Sequence, residues 1–378
     1  MAGYIFALGK KDVLNIMSKC VKSGVYSTNI PKVSRYTYAP IEGTLGDYVT
    51  MEEGDNIYFF SDRKIYGVGK LKNVGIDCKY SNYPGACSLK NFKYSDIKSK
   101  ILYQNGKNKI NNRWICTFVP SPFFFQKGID IDDVLMYKSD TFKILRTFWK
   151  TSFIKIGDEE NQSLREIILL RNQDYLSNST VKNTYIFNAK THKSILEKLD
   201  DTHFIEMKSM LENFCDEGKL KHEMAIETAT LYKLSNQKNT LFGSWDYLSH
   251  QVAASPFKPI DYMDKMDIFG YRFIIGEKII SKYLVIEVKK GRADLDTIKQ
   301  TSKYVDWIVK EYAYGSYDAI EAFVLAYEFT EEAILEKENI CQRNYTWGSH
   351  PIESREWKNL RLIKYLFDGE DLKYTEID

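Results

Sequence analysis

The sequence predicts a multidomain protein of mixed class, α+β in its first part and α/β with a central mixed sheet in its C-terminal part. Its 378 residues, 44% of them hydrophobic, are enough to build two or three separate cores. Short apolar runs between turn residues dominate up to residue 158, whereas strands and helical periods alternate later in the chain. We therefore expect a small β-barrel with helices over 1–158, a helical linker over 159–215, an α/β domain over 216–335 and an appendage of unknown role over 336–378.

The first elements are indicated by hydrophobic periodicity and turn residues. Residues 12–22 carry apolar side chains at helical spacing, which predicts a helix. Residues 54–61 and 64–71 alternate or run apolar between turn residues, which predicts a hairpin. The polar stretch 172–184 is typical of a surface loop, and the helical region 194–234 then leads into the second domain.

Charge and cysteine content exclude several classes of protein. The formal net charge is only +2, so the chain is not a generally basic protein that coats nucleic acid. A DNA-binding site would be a local basic patch. Six cysteines include no Cys-x-x-Cys pair and accompany only five histidines, which excludes a zinc ribbon of the usual spacing. The N-terminus lacks the pattern of a signal peptide, and no apolar run is long enough for a membrane span. We expect a cytoplasmic protein that does not bind membranes.

The most informative stretch is an apolar strand over 283–289 that carries Glu287 and Lys289 two residues apart. Side chains alternate across a strand, so both charges emerge on one face while apolar residues pack on the other. Asp267 ends a similar run upstream, and pairing of the two strands would bring it beside Glu287. Two carboxylates and an amine around one cavity suit a divalent cation and an activated water. The plainer interpretation is a surface ion pair on an edge strand, which contributes little.

The segment after this strand adds polar groups at defined spacing. A turn with Lys290 and Arg292 leads into a helix on which Gln300 and Tyr304, four residues apart, share one face. The two basic residues are placed to hold neighbouring phosphates. A solvated basic turn is the alternative interpretation of this pair.

In order along the chain, these residues resemble the motifs of the PD-(D/E)xK, or restriction-endonuclease-like, nuclease superfamily: Asp267, Glu287-Val288-Lys289 and Gln300-x-x-x-Tyr304. The superfamily also uses a glutamate on the first core helix, for which the chain offers Glu223 and Glu227, one turn apart. We slightly prefer Glu223 and retain Glu227, because the helix register is open. The resemblance implies a metal-dependent DNA nuclease with a restriction-endonuclease-like core.

The resemblance also implies a role for each residue. Asp267, Glu287 and the Val288 carbonyl would bind Mg²⁺, for which Mn²⁺ can substitute. Lys289 would orient or acidify the attacking water while its charge offsets the phosphate. The helix glutamate would bind the metal through water or hold a second cation. The glutamine and tyrosine would contact the DNA backbone or brace the site.

The N-terminal part contains a second set of motifs. The short motifs around Tyr26-Ser27-Thr28 and Trp114, with the hairpin between them, resemble those of the PUA-like group that contains the YTH and EVE domains. In that group a small barrel holds a modified base in an aromatic cage. The resemblance implies that Tyr26 and Trp114 stack on a flipped base and that Ser27 and Thr28 hydrogen bond to its edge. Tyr26 stands where the YTH pattern has tryptophan, and ordinary core packing is the alternative interpretation of both aromatics.

Together the two resemblances imply a modification-dependent restriction endonuclease, an Mg²⁺-dependent deoxyribonuclease of type IV or IIM that acts in phage defence. We expect it to recognise double-stranded DNA through a modified base, with a methylated base as the expected form, and cutting two strands favours a homodimer or higher oligomer. One alternative is a DNA-end or structure-specific nuclease of repair or phage defence whose N-terminal domain is a clamp. Another is a non-catalytic DNA-binding module whose Glu-x-Lys strand is vestigial.

Overall fold

The structure, a computed structural model, consists of two compact units, Met1–Glu206 and Met207–Asp378. The residues it describes are 1–8, 12–30, 38–88, 90–104, 110–147, 153–177, 183–237, 240–254 and 264–377, with the side chains of 38–42 and 147 excepted. Both units combine helices with sheets, so the predicted mixed α+β, multidomain class is confirmed. Within the described ranges, no helix combines the length and the apolar character that crossing a membrane requires.

The first unit is built on one large sheet. Its strands are β1 Gly3–Ala7, β2 Val25–Ser27, β3 Asn56–Ser61, β4 Lys64–Leu71, β5 Lys79–Ser81, β6 Trp114–Pro120, β7 Ile129–Asp130 and β8 Phe153–Ile156. Its helices are α1 Val13–Ser23, α2 Tyr38–Val49, α3 Tyr94–Ile97, α4 Ile131–Tyr137, α5 Asp158–Arg171, α6 Gln173–Ser177 and α7 Lys190–Lys198. The strands follow the order β2-β6-β4-β3-β1-β8, with β5 paired to β6 and β7 to β4. β1 and β3 run parallel, and the other pairs are antiparallel.

Local sequence patterns account for several of these elements. The helix predicted over 12–22 is α1, and the predicted hairpin is formed by β3 and β4. The loop predicted over 172–184 is wrong at residues 173–177, where α6 forms, because local propensity is a weak signal that the surrounding structure can override. Residues 178–182 of that stretch lie outside the described residues.

The second unit contains a six-stranded mixed sheet and two separate strand pairs, β9 with β10 and β15 with β16. The strands of the unit are β9 Cys215–Asp216, β10 Lys219–Leu220, β11 Tyr247–Ala253, β12 Lys265–Phe273, β13 Ile280–Ala293, β14 Ile320–Phe329, β15 Arg343–Trp347, β16 Glu353–Trp357, β17 Leu360–Phe367 and β18 Leu372–Ile377. Its helices are α8 Lys208–Leu211, α9 Glu223–Asn236, α10 Leu295–Glu311 and α11 Glu331–Cys341. The sheet order is β11-β12-β13-β14-β17-β18, in which β13, β14 and β17 run parallel. Two strands of this sheet, β17 and β18, therefore come from the segment expected to be an appendage.

Helix α10 links the parallel strands β13 and β14, as a parallel pair requires a crossover. Its first turn is capped by Asp294, whose side chain accepts a hydrogen bond from the Thr297 N–H at 3.1 Å. The helix carries an apolar stripe, Ile298, Val305 and Ile308, which is buried. This packing fixes which face of α10 points toward the sheet.

Candidate active site

Two neighbouring strands bring Asp267 and Glu287 together. In the antiparallel pair of β12 and β13, Ile268 lies opposite Ile286, so the next positions, Asp267 and Glu287, are cross-strand neighbours. The Val288 N–H donates to Asp267 Oδ2 at 2.8 Å and fixes this carboxylate. The strand pairing thus places two acidic side chains at one point of the sheet.

Lys289 lies on the same face of β13 as Glu287, and its Nζ donates to Glu287 Oε1 at 2.6 Å. β13 lies between β12 and β14 rather than at an edge of the sheet. Glu287 is only 1% exposed. The interpretation as a surface ion pair on an edge strand is therefore wrong. Loss of Lys289 would leave the buried Glu287 carboxylate without its charged partner whenever Glu287 is ionised.

Helix α9 supplies a third carboxylate, Glu227, which is 3% exposed. Gln251 Nε2 donates to Glu227 Oε2 and to Asp267 Oδ1, each at 3.0 Å. Glu223, one turn earlier on the helix, instead accepts a hydrogen bond from the Lys290 N–H at 3.3 Å. The structure thus turns Glu227 toward Asp267, although the sequence led us to prefer Glu223 slightly. We call Glu227, Asp267 and Glu287 the acidic cluster.

Burial and mutual repulsion shift the protonation of the acidic cluster. Burial, followed by the charge on Asp267, raises the pKa of Glu227 and of Glu287 to about 8. Burial also raises the pKa of Asp267, although the Val288 N–H and the Lys289 charge oppose the rise. Burial lowers the pKa of Lys289, but Glu287 and other carboxylates outweigh this and raise it overall. The cluster therefore holds protons near neutral pH unless another positive charge enters.

The donor atoms of the acidic cluster are hard oxygens, which suit Mg²⁺. Glu287 Oε2 is buried, and within the described residues no N–H group donates to it. Glu287 and Asp267 also interact directly, so a cation that binds here has to displace the proton that burial and repulsion keep on this pair. Glu227 Oε2, both oxygens of Asp267 and Glu287 Oε1 accept hydrogen bonds from N–H donors of Gln251, Val288 and Lys289. Across the described ranges, no three His, Cys, Asp or Glu side chains are already arranged to hold a metal ion. The residues therefore fit Mg²⁺ by their chemistry, and binding requires the carboxylates to exchange N–H donors for the cation.

Gln300 and Tyr304 form a bonded pair on α10. Gln300 Nε2 donates to the Tyr304 hydroxyl at 2.6 Å. Tyr304 is 3% exposed, and burial, followed by the charge on Glu287, raises its pKa. The phenol therefore keeps its proton near the acidic cluster.

Basic side chains lie at the C-terminal end of β13, where the sequence predicted a turn; that prediction is wrong, because the strand continues to Ala293 through its pairing with β14. Lys290 and Arg292 are both exposed there, and the Arg292 Nε donates to the Phe329 carbonyl at 3.4 Å. Lys219 on β10, which no sequence motif indicated, has its Nζ 3.8 Å from the place a Cβ would take at Gly291. Three exposed cations therefore lie at or beside the C-terminal end of β13, the strand that carries Glu287.

Two polar residues of β11 also belong to the site. Gln251 bonds to two carboxylates of the acidic cluster, and His250 lies close enough to interact electrostatically with Glu227. The sequence indicates these two residues only weakly, because Ser249-His250-Gln251 is a short polar segment inside an otherwise apolar strand. Neither residue belongs to a motif of the resemblance.

Trp114 and Thr28 are core residues of the first unit. Trp114 is 0% exposed, and its ring centroid lies 6.4 Å from that of Tyr48. The Thr28 N–H donates to the Trp114 carbonyl at 3.0 Å, and Thr28 Oγ1 accepts from the Trp114 N–H at 3.1 Å. Thr28 therefore braces the end of β2 against β6.

Tyr26 and Ser27 are half-buried at the end of β2. The Tyr26 ring centroid lies 4.0 Å from that of Phe6 and 6.0 Å from that of Phe59. Among the ring contacts of the described residues, none joins Tyr26 to Trp114. The structure thus packs Tyr26 on the phenylalanines of neighbouring strands.

Comparisons with known proteins give one similarity among solved structures. No protein-family model matches the chain, and no curated protein matches it. The chain is similar to a structure described as "crystal structure of a repair endonuclease from Pyrococcus abyssi", at 25% sequence identity and a TM-score of 0.21. The match covers 33% of this chain and 46% of that chain, so it spans less than half of the endonuclease. A superposition of this extent supports no family assignment, and the function is inferred from the site itself.

Proposed function

We propose that this chain is a metal-dependent nuclease that hydrolyses DNA phosphodiester bonds at the acidic cluster. The observation that carries the proposal is the meeting of Asp267 and Glu287 across two central strands, with Lys289 bonded to Glu287 on the same face. Buried acids of raised pKa beside a lysine are typical of sites that bind cations or transfer protons. The resemblance of these residues to the PD-(D/E)xK motifs adds support.

The side chains of the site have complementary tasks in this hydrolysis. Bound Mg²⁺ would supply a Lewis acid that polarises the phosphate and lowers the pKa of a bound water. Asp267 and Glu287 would hold it, with the Val288 carbonyl as a further ligand, and Glu227 adds negative charge that favours its entry. The Lys289 ammonium offsets the negative charge that develops on the attacked phosphate.

DNA is the substrate class that best suits the surroundings of the site. Lys219, Lys290 and Arg292 are exposed at or beside the C-terminal end of β13, the strand that carries Glu287, and such cations bind phosphates of a nucleic-acid backbone without reading its sequence. The cluster is acidic, so without these cations it would repel a phosphodiester. A local basic surface also agrees with the small net charge of the whole chain.

We further propose that the first unit recognises a modified base and so selects the DNA to be cut. Support comes from the resemblance of the Tyr26-Ser27 segment to the YTH and EVE motifs and from the partial exposure of Tyr26 and Ser27. The predicted stacking by Trp114 and hydrogen bonding by Thr28 are wrong, because both side chains are buried in the core. Stacking on an aromatic ring contributes roughly 1–3 kcal/mol per base, which helps to offset the cost of flipping a base. Because each chain has one acidic cluster, cutting both strands calls for a homodimer or two successive nicks.

The proposal is tested by digesting matched duplexes that carry N6-methyladenine, 5-methylcytosine, 5-hydroxymethylcytosine or no modification, with Mg²⁺ and with EDTA. We expect Mg²⁺-dependent cutting of at least one modified duplex, about tenfold or more faster than the unmodified one. Equal cutting of all four, or faster cutting of branched DNA, would favour a structure-specific nuclease. Absence of both cutting and cation binding would favour a non-catalytic DNA-binding module.

A further inference from the structure

Gln251 occupies the space between two carboxylates of the acidic cluster. Its Nε2 donates to Glu227 Oε2 and to Asp267 Oδ1, each at 3.0 Å. A carboxamide nitrogen carries two protons, so these two bonds use its whole donor capacity. Gln251 therefore holds together two acidic groups that repel each other when ionised.

The backbone at Gln251 has an unusual conformation. Its φ is 52°, in the left-handed region that residues with a side chain rarely adopt. In the antiparallel ladder of β11 and β12, Val252 pairs with Met266, which leaves Gln251 across from Asp267. Backbone outliers of this kind persist where the surroundings fix them, and they concentrate at functional sites. The outlier and the double hydrogen bond are two independent features of the same residue.

We infer that Gln251 is a ligand switch whose carboxamide turns over when a divalent cation enters, so that Oε1 replaces Nε2 and binds the cation. The inference rests on the proposed metal-dependent function. Rotation about the last side-chain bond exchanges the two atoms while the rest of the residue stays in place. A neutral amide oxygen is a usual ligand of hard divalent cations.

The two orientations of the amide suit two states of the site. With Nε2 inward, its protons partly compensate Glu227 and Asp267 in the absence of a cation. With Oε1 inward, the same side chain offers a lone pair, which would repel the carboxylates unless a cation lies between them. Gln251 thus acts as a placeholder that keeps the carboxylates in position and becomes a ligand when the cation arrives.

The experiment uses the full chain with Mn²⁺ as the probe. Cation affinity is measured by titration calorimetry, and the melting temperature is measured in EDTA. Three variants are compared with wild type: Gln251→Met, which keeps the volume but has no oxygen; Gln251→Glu, which keeps an oxygen but has no N–H; and Gln342→Met as the control. Gln342 donates to Glu356 on β16, outside the acidic cluster.

We expect Gln251→Met to weaken Mn²⁺ binding about tenfold or more, as loss of a supporting ligand does. Gln251→Glu should bind Mn²⁺ at least as tightly as wild type and should melt at a lower temperature in EDTA, because it adds a carboxylate to an acidic cluster. The control should match wild type in both measurements. If Gln251→Met does not fold, the affinity of Gln251→Glu still decides the matter.

Three outcomes would overturn the switch. Equal Mn²⁺ affinity of wild type and Gln251→Met would remove the ligand role and leave the proposed nuclease intact. Weaker Mn²⁺ binding by Gln251→Glu than by wild type would show that cation binding depends on the hydrogen bonds donated by Nε2 and not on an oxygen ligand at this position. Absence of Mn²⁺ binding by wild type would overturn the switch together with the proposed function.

Discussion

Lys289 donates to Glu287 from the same face of a central strand, over 2.6 Å. The glutamate side chain is only 2% exposed, whereas the lysine side chain is 28% exposed. The carboxylate is thus buried, whereas the lysine side chain is in part open to solvent. An approaching phosphate would meet the positive group first, which suits a site that combines cation binding with charge stabilisation.

Glu287→Gln is expected to lower the rate of DNA cleavage about a hundredfold or more, because it removes a charged cation ligand. The melting temperature at about pH 8 should stay the same or rise, since a buried ionisable group is replaced by a neutral one of the same shape. Plasmid nicking and circular dichroism measure the two effects. Full activity of this variant would remove Glu287 from the catalytic site.

Lys289→Met should also lower the cleavage rate about a hundredfold, because nothing then offsets the charge on the phosphate. It should destabilise the metal-free protein more at about pH 8 than at about pH 5, since Glu287 is protonated at the lower pH and needs no partner. Thermal unfolding at the two pH values measures this difference. The control is Lys299→Met, an exposed lysine on α10 paired with Asp296, for which no pH-dependent difference is expected.

The stability of the metal-free protein should fall as the pH rises from about 4.5 to about 8. Over this range the folded protein binds more protons than the unfolded chain, because the pKa of Glu227 and of Glu287 is raised from 4.5 to about 8. Their stabilising contribution is complete below 4.5 and is lost as the pH passes 8. Mg²⁺ should therefore raise the melting temperature more at about pH 8 than at about pH 6. Calorimetry measures both trends, and a metal-free stability that increases across this range would contradict the assigned burial of the cluster.

Asp294→Ala should lower the free energy of unfolding of the second unit by about 1 kcal/mol, because the first turn of α10 loses its cap. Cleavage per folded molecule should be unchanged, since Asp294 does not bond to the acidic cluster. Urea denaturation measures the stability, with Asp296→Ala in the same turn as the control. A loss of activity at unchanged stability would instead give Asp294 a direct role.

Trp114→Ala should lower the free energy of unfolding by about 3–5 kcal/mol, because a large, fully buried ring leaves a cavity. Tyr26→Ala should cost less stability, since Tyr26 is half-buried, and should reduce the preference for a modified duplex if this residue stacks on the base. Thermal unfolding and the digestion of matched duplexes measure the two effects. Unchanged base preference in Tyr26→Ala would remove this residue from recognition.

Local patterns predicted the parts of the site that depend on strand geometry. The two-residue period of a strand places Glu287 and Lys289 on one face, whatever the strand packs against. The pairing of the two strands placed Asp267 beside Glu287, because both runs are apolar and lie close in sequence. The helix with Gln300 and Tyr304 was equally predictable from its apolar stripe.

Tertiary packing decided what the sequence left open. Glu223 and Glu227 lie one turn apart on the same helix, and only the contact of α9 with the sheet selects Glu227 as the neighbour of Asp267. Gln251 was missed because its role depends on a left-handed backbone conformation that no local pattern of a strand predicts. In the first unit, the short aromatic motifs around Tyr26 and Trp114 were equally compatible with a base-binding cage and with core packing. The burial of Trp114 places it in the core.

Plasmid cleavage with Mg²⁺ and with EDTA measures most directly whether Glu287 belongs to a catalytic metal site. The substrate is modified supercoiled plasmid, and wild type is compared with Glu287→Gln and with the control Glu376→Gln. Glu376 lies on the edge strand β18 and forms an ion pair with Arg361. We expect wild type and Glu376→Gln to cut in Mg²⁺ and not in EDTA, and Glu287→Gln to leave the plasmid supercoiled. Equal cutting by Glu287→Gln, or cutting by wild type in EDTA, would contradict a metal-dependent nuclease at this site.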